Sequence, residues 1–180
     1  MKIRLFLPFL LALGACDGAS SGGSAYKFEP FAGWSAFKEG SSVEFDMEAG
    51  GQKMKQSKTL EKKTADEITL KTEMIMMIGD KETKMPRPET IKKGAAVEGN
   101  CPACSKPFKD HKDETKRSSE TLKIDGKDVA CTVVEGPAKN CKGEDAPKMK
   151  MWYSLDVPGH LVKTEMAAMK MTLLKFEAKK

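Results

Sequence analysis

The 180-residue chain lacks a long apolar run, has few aromatic residues and contains only two histidines. Its main apolar run, residues 5–13, is far shorter than the ~20 residues that a membrane-spanning helix requires. No Ser-His-Asp order, phosphate-binding glycine loop or pair of carboxylates can be recognised. His111 lies in a charged segment and His160 follows a turn, so we interpret both as surface residues. These absences predict a protein that is not an enzyme and uses no cofactor.

Neither sign of charge dominates the chain. It carries 31 Lys and Arg against 26 Asp and Glu, a net charge of +5 that falls further if Lys2 and Arg4 are removed. The two signs alternate along the sequence, and there is no cluster of basic and aromatic residues. Because nucleic-acid binding depends on a concentrated basic surface, we exclude nucleic acid as a partner.

The N-terminus has the three parts of an export signal. Lys2 and Arg4 precede the apolar run, and small residues follow it. The sequence Leu13-Gly14-Ala15-Cys16 then resembles the lipobox of bacterial lipoproteins, in which the cysteine is acylated after cleavage. The resemblance implies lipidation of Cys16, and two or more acyl chains give a stable membrane anchor.

These features divide the chain into three parts. We predict a signal peptide at residues 1–15, a lipidated Cys16 with a Gly/Ser-rich tether at residues 16–25, and a single domain at residues 26–180. The protein is then expected in the cell envelope, facing the periplasm, with the membrane as a partner through its anchor. The choice between inner and outer membrane stays open.

The domain is dominated by a two-residue apolar period, which is typical of β-strands with one solvated face. Val43, Phe45 and Met47 show it first, and turn signals such as Asp125-Gly126 separate the later segments. No helical crossover of the length needed between parallel strands is visible, so the pattern predicts an antiparallel sheet. Trp34 and Phe37 lie three residues apart, which predicts a short N-terminal helical turn that covers one end of the core.

Two segments are harder to interpret. Residues 165–178 fit either helical spacing or a strand with a phase slip near Leu174, and we favour the strand with a β-bulge. Residues 84–116 are polar, rich in proline and without periodicity, which predicts a cysteine-containing insert.

Four cysteines remain in the mature chain, and three kinds of chemistry stay open for them. An even number in an exported protein favours two structural disulfides, without selecting the pairs. Cys101 and Cys104 also have the Cys-x-x-Cys spacing of thiol-disulfide oxidoreductases, and with other cysteines or His111 they could bind zinc. The four candidates are Cys101, Cys104, Cys131 and Cys141.

Methionine is unusually frequent, with 12 residues in the chain. In strands of period two, these flexible side chains could fill the core, line an adaptable apolar face, or bind Cu(I) through their soft thioethers. The candidates for an apolar face are Met74, Met76, Met149, Met151, Met169 and Met171.

Three segments together resemble small secreted bacterial proteins of the kind found in planctomycetes, which are similar to half-barrel lipoprotein carriers of the LolA type. They are residues 34–45 (WSAFKEGSSVEF), 124–135 (IDGKDVACTVVE) and 152–163 (WYSLDVPGHLVK). The resemblance implies a curved antiparallel sheet, a half-barrel or incomplete barrel, with an apolar concave face. It implies no catalytic residue.

The favoured hypothesis is therefore a membrane-anchored envelope lipoprotein that binds an apolar ligand (a lipid, an acyl chain or a lipoprotein) or has a structural role. Metal handling, with zinc or copper bound by the Cys-Pro-Ala-Cys motif or the methionine clusters, is the alternative. A thiol-disulfide oxidoreductase is third.

Overall fold

The computed structural model describes residues 29–78, 81–94, 116–136, 143–145 and 148–180. Within these ranges the chain forms one short helix and ten β-strands, all the strands belonging to one sheet. The elements are α1 (Pro30–Ser35), β1 (Ser42–Ala49), β2 (Gln52–Lys63), β3 (Glu67–Ile78), β4 (Lys81–Pro86), β5 (Glu89–Lys92), β6 (Lys116–Ile124), β7 (Lys127–Glu135), β8 (Met149–Tyr153), β9 (Leu161–Met166) and β10 (Met169–Glu177).

The sheet is antiparallel throughout, and its strand order is β4-β3-β2-β1-β10-β9-β8-β7-β6, with β5 also paired to β3. Strands that follow each other in sequence pair as hairpins in each half, and β1 joins β10 to connect the halves. The sheet is curved and is not closed into a barrel. The predicted fold class, mainly β with a short N-terminal helix, is confirmed.

Within the predicted segment at residues 165–178, Met169–Glu177 is a strand with a bulge, as the phase slip predicted, whereas residues 165–166 end β9 and residues 167–168 form a turn. Phe45 pairs with Leu173 while its neighbour Glu44 pairs with Lys175, so Leu174 has no partner on β1. The extra residue restores the pairing of Val43 with Phe176. The bulge explains why the apolar pattern changes phase near Leu174.

The hydrophobic core is formed by side chains from one face of each half of the sheet and from α1. Trp34 and Phe37 are buried there, and α1 contacts β3 and β5. The helix is held close to the loop after β8, because the N–H of Gly159 donates to the carbonyl of Gly33 at 2.9 Å. The most deeply buried apolar side chains of the strands are Leu60, Ile68, Leu70, Val133, Val162 and Leu173.

The turn between β6 and β7 follows its sequence signal. Asp125 and Gly126 have φ values of 48° and 76°, which is the left-handed pair that a tight type I′ hairpin turn requires. The resulting register pairs Glu120 directly with Cys131, as the turn position predicts.

The first part of the predicted insert at residues 84–116 contains strands. β4 extends to Pro86 and β5 occupies Glu89–Lys92, both paired with β3. The sequence pattern does not indicate these strands, because β4 is a largely exposed edge strand, whose side chains need not alternate, and β5 is very short. The rest of the insert lies outside the described residues.

The N-terminal predictions also lie outside the described residues. These are the signal peptide at residues 1–15, the lipidated Cys16 and the tether at residues 16–25. In the part of the chain that the structure describes, no helix has both the length and the apolar character to cross a membrane.

Candidate functional site: the methionine face

Methionines from four neighbouring strands form a row across the sheet. Met47 of β1 pairs with Met54 of β2 on one side and with Met171 of β10 on the other. Met54 pairs in turn with Met76 of β3. Directly opposed residues of antiparallel strands project to the same face of a sheet, so the four side chains lie side by side.

The row continues into the second half of the sheet. Met171 pairs with Thr164 of β9, and Thr164 pairs with Met151 of β8. Beyond Met151 lies Val134 of β7, which is buried. The row therefore crosses seven strands, and Thr164 is its only polar member between Met76 and Val134.

A second row runs beside the first on the same face. Ala49 pairs with Met169, Met169 with Met166, and Met166 with Met149. Side chains of one strand return to the same face every second residue. Met74, two residues before Met76 on β3, therefore lies on this face as well. We call the half-buried part of this surface the methionine face; its methionines are Met47, Met54, Met74, Met76, Met149, Met151, Met166, Met169 and Met171, and Met85 of β4, which pairs with Met74, lies at its exposed edge.

The methionine face lies next to the hydrophobic core and is itself half-buried. Met47 and Met171 pack against the core cluster, and Phe45 and Leu173, one step further along the same strands, belong to it. The remaining methionines are of intermediate burial. The buried core is therefore continuous with a partly accessible surface formed by the thioethers of the methionines.

Ionisable groups are absent from the centre of this face. The six positions that flank Met47, Met54 and Met171 on the same side of their strands are apolar or amides. The intervening charged residues, such as Asp46 and Lys55, project to the opposite face. The flanking residues are Phe45, Ala49, Gln52, Gln56, Met169 and Leu173.

A polar line separates the methionines of β2 and β3 from the core beneath α1. Lys58 pairs with Thr72, and its ammonium forms a 2.7 Å ion pair with Glu89 of β5. Thr72 is only 3% exposed, and among the described residues its hydroxyl oxygen has no hydrogen-bond partner. Beyond this line, Leu60 and Leu70 are fully buried.

One thioether of the face has a specific polar contact. The hydroxyl of Tyr153 donates a hydrogen bond to Sδ of Met151 at 2.6 Å. A thioether sulfur is a weak acceptor, so this contact orients Met151 without binding it tightly.

All six methionines predicted as apolar-face candidates lie on this one face, and three more join them. Met47, Met54 and Met166 were missed as members because period two within a strand does not show which strands are neighbours. The turn at residues 49–52 could have indicated the first two, since a two-residue hairpin loop there pairs Met47 with Met54.

Of the four cysteines predicted as disulfide candidates, the structure describes only Cys131. Cys131 is a buried free thiol in the structure, so the expected disulfide is not observed at this position. Cys131 belongs to the same core cluster as Val129 and Val133, and it also lines a cleft at the β6 edge of the sheet. Cys101, Cys104 and Cys141 lie outside the described residues.

Cys131 is chemically quiet in this setting. Burial raises the pKa of its thiol, and the negative charge of Glu120 raises it further. Glu120 is held by Trp152, whose indole Nε1 donates to its carboxylate at 2.7 Å. A reactive cysteine needs a lowered pKa, so Cys131 is not suited to be a thiol nucleophile.

His160 is a packing residue rather than a fully exposed one. Its ring meets Phe37 edge to face, with centroids 6.4 Å apart. Burial lowers the pKa of the imidazole from its ordinary value. Within the described ranges no group of three His, Cys, Asp or Glu side chains is placed to hold a metal ion. His111 lies outside the described residues.

A cleft of about 540 Å³ lies at the β6 edge of the described sheet. Its lining includes hydroxyl groups and the exposed side chain of Leu155. Glu120, Cys131 and Asp156 also line the cleft, and no histidine is among its described lining residues.

No protein-family model matches the chain, and no curated protein matches its sequence. Among solved structures, MucB in complex with MucA(peri) is similar, with a TM-score of 0.45 and 6% sequence identity. The match covers 86% of this chain and 56% of MucB, so the chain spans little more than half of that protein. At this TM-score and identity, neither fold nor partner is transferred.

Proposed function

We propose that this chain is a non-catalytic lipoprotein of the bacterial envelope, anchored through acyl groups on Cys16, and that its methionine face binds an acyl chain of a lipid or of another lipoprotein. The observation that carries the proposal is the continuous row Met76, Met54, Met47 and Met171, joined through Thr164 to Met151.

Three properties of the row suit an acyl chain. It is apolar, it is half-buried rather than filled by the core, and it is neutral at its centre. Methionine side chains are flexible and polarisable, which allows one surface to fit chains of different length and curvature. Each methylene removed from water contributes about 0.8 kcal/mol.

Binding is tested by displacement of a fluorescent naphthalene sulfonate with lauric, myristic and palmitic acids, each below its micelle concentration. Two further methylenes in contact with the face should strengthen binding by roughly tenfold. The Met54→Glu variant places a carboxylate in the row and should weaken palmitate binding at least tenfold. Met54→Leu keeps an apolar side chain of similar volume and should bind as the native protein does.

Lys53→Glu is the matched control for charge, because Lys53 is exposed on the opposite face of the same strand. Equal losses in Met54→Glu and Lys53→Glu would show that charge, and not the row, weakens binding. Affinity that does not depend on chain length in the native protein would contradict acyl binding on this face.

The anchor is tested separately by mass spectrometry of the native protein extracted from membranes. Acyl groups should be found on an N-terminal Cys16, and the Cys16→Ser variant should leave the membrane fraction. Recovery of an unmodified Cys16 from the native protein would contradict the anchor while leaving acyl binding to be judged by displacement alone.

A further inference from the structure

We propose that Met47, Met54 and Met171 form a binding site for one Cu(I) ion. The proposal is independent of acyl binding, although it concerns the same face. It rests on the register that makes Met47 the direct neighbour of both other methionines, one on each flanking strand.

The register sets the spacing of the three side chains. Opposed positions of antiparallel strands have Cβ atoms about 5 Å apart. The side chain of Met47 therefore lies within reach of the thioethers of both Met54 and Met171. Each methionine has three rotatable bonds beyond the backbone, which lets the outer two sulfurs turn toward the central one. A three-sulfur set can therefore form without moving the strands.

The donors and their surroundings select the metal. Thioethers are soft, neutral ligands that favour Cu(I), whereas Mg²⁺ and Ca²⁺ require oxygen ligands. The positions flanking the three methionines on this face carry no carboxylate, imidazole or thiol. A monovalent soft cation is suited to such a site because little charge is left uncompensated.

Other methionines of the face differ from this trio. Met76 adjoins only Met54 within the row, and Met151 is separated from Met171 by Thr164 and accepts a hydrogen bond from Tyr153. Met54 and Met166 also have a methionine as direct partner on each side, but among the described methionines only Met47 and Met171 pack against the core cluster. The trio is therefore the thioether set of the described structure whose central methionine packs against the core.

The site is tested by NMR of full-length protein labelled with ¹³C at the methionine methyl groups, using Ag(I) as a redox-inert probe of Cu(I) sites. Silver is added beyond the amount that the cysteines can take. The methyl resonances of Met47, Met54 and Met171 should shift together and saturate at one further equivalent. Met85, 38% exposed on the edge strand β4, should remain unshifted.

Cu(I) binding is then measured by competition with bicinchoninate under anaerobic conditions. The double variant Met47→Leu/Met171→Leu should weaken the affinity of this site at least tenfold, and Met85→Leu should leave it unchanged. Leucine preserves the apolar volume, so the double variant should still bind palmitate as the native protein does.

The possible outcomes separate the two proposals. If silver moves no methionine methyl resonance while the thiols react, or moves Met85 together with the trio, the Cu(I) site is refuted. If the leucine variant loses Cu(I) but keeps palmitate, both functions stand on the same face. If it keeps Cu(I) at native affinity, the trio is not the site, whatever the result with palmitate.

Discussion

The packing of α1 against the loop after β8 depends on one glycine, and the structure allows the effect of replacing it to be worked out. Gly159 has φ of +76°, and a Cβ placed there would lie 2.9 Å from Nε1 of the buried Trp34 indole and 3.1 Å from its Cε2. Gly159→Ala therefore destabilises the fold in two ways. The alanine must adopt a left-handed backbone conformation, and its Cβ overlaps with the Trp34 ring.

Gly126 provides the matched control, because it has the same φ of +76° but a Cβ there would meet nothing within 4 Å. The left-handed conformation alone costs about 1–2 kcal/mol for an alanine, which is the expected loss for Gly126→Ala. Overpacking of a rigid buried neighbour adds about 1–3 kcal/mol. Gly159→Ala should therefore lower the free energy of unfolding by about 2–5 kcal/mol.

The two variants are compared by urea unfolding, followed by circular dichroism, and by thermal unfolding. For a domain of this size the additional 1–3 kcal/mol corresponds to a melting temperature about 2–12 °C lower for Gly159→Ala than for Gly126→Ala. A Trp34→Phe background, with a smaller ring, should remove part of this difference in a double-mutant cycle. Equal destabilisation by the two alanines would refute the contact between Gly159 and Trp34 as the organising feature of the α1 junction.

Two further perturbations test buried polar groups. Thr72→Val removes a buried hydroxyl for which the described residues provide no hydrogen-bond partner, and it should raise the free energy of unfolding by about 1 kcal/mol in urea melts, since an unsatisfied buried group costs about 1–3 kcal/mol. Burial lowers the pKa of His160, so in the interval between that lowered pKa and about 6.5 the unfolded chain binds more protons than the folded one. The free energy of unfolding should therefore fall as pH is lowered through this interval. The fall should be smaller in His160→Asn, because asparagine tolerates the φ of 61° at this position and does not titrate.

Each of these two predictions would be contradicted by a specific result. A clear loss of stability in Thr72→Val would mean that the hydroxyl is hydrogen-bonded in solution. An NMR titration that gives His160 a pKa above 6.5 would reverse the sign of the linkage, and stability would then be lost as pH rises.

The fold was predictable from the sequence to the extent that side-chain alternation and turn chemistry determine it. The Asp125-Gly126 turn and the phase slip at Leu174 each predicted a feature that the structure contains. The strand order was not predictable, because the pairing of β1 with β10 joins residues more than a hundred positions apart and no local signal encodes it. β5 was missed because four residues are too few to show a period.

The candidate site, like the fold, was predictable from the sequence only in part. The sequence placed six methionines on strands and predicted that they share an apolar face, and the structure puts all six on one face. It did not reveal the trio of Met47, Met54 and Met171, because Met171 reaches Met47 only through the β1–β10 pairing. Long-range pairing therefore turns scattered methionines into a continuous surface.

The composition of that surface depends on a single turn. Gly50 and Gly51 have φ of 57° and 79°, a pair of left-handed residues that fixes a two-residue loop and hence the pairing of Met47 with Met54. A slip of one residue would turn β2 over and bring Lys53 and its alternating neighbours onto the methionine face. Since charges there would interfere with both an acyl chain and a soft cation, the two glycines are as necessary to either proposed function as the methionines themselves.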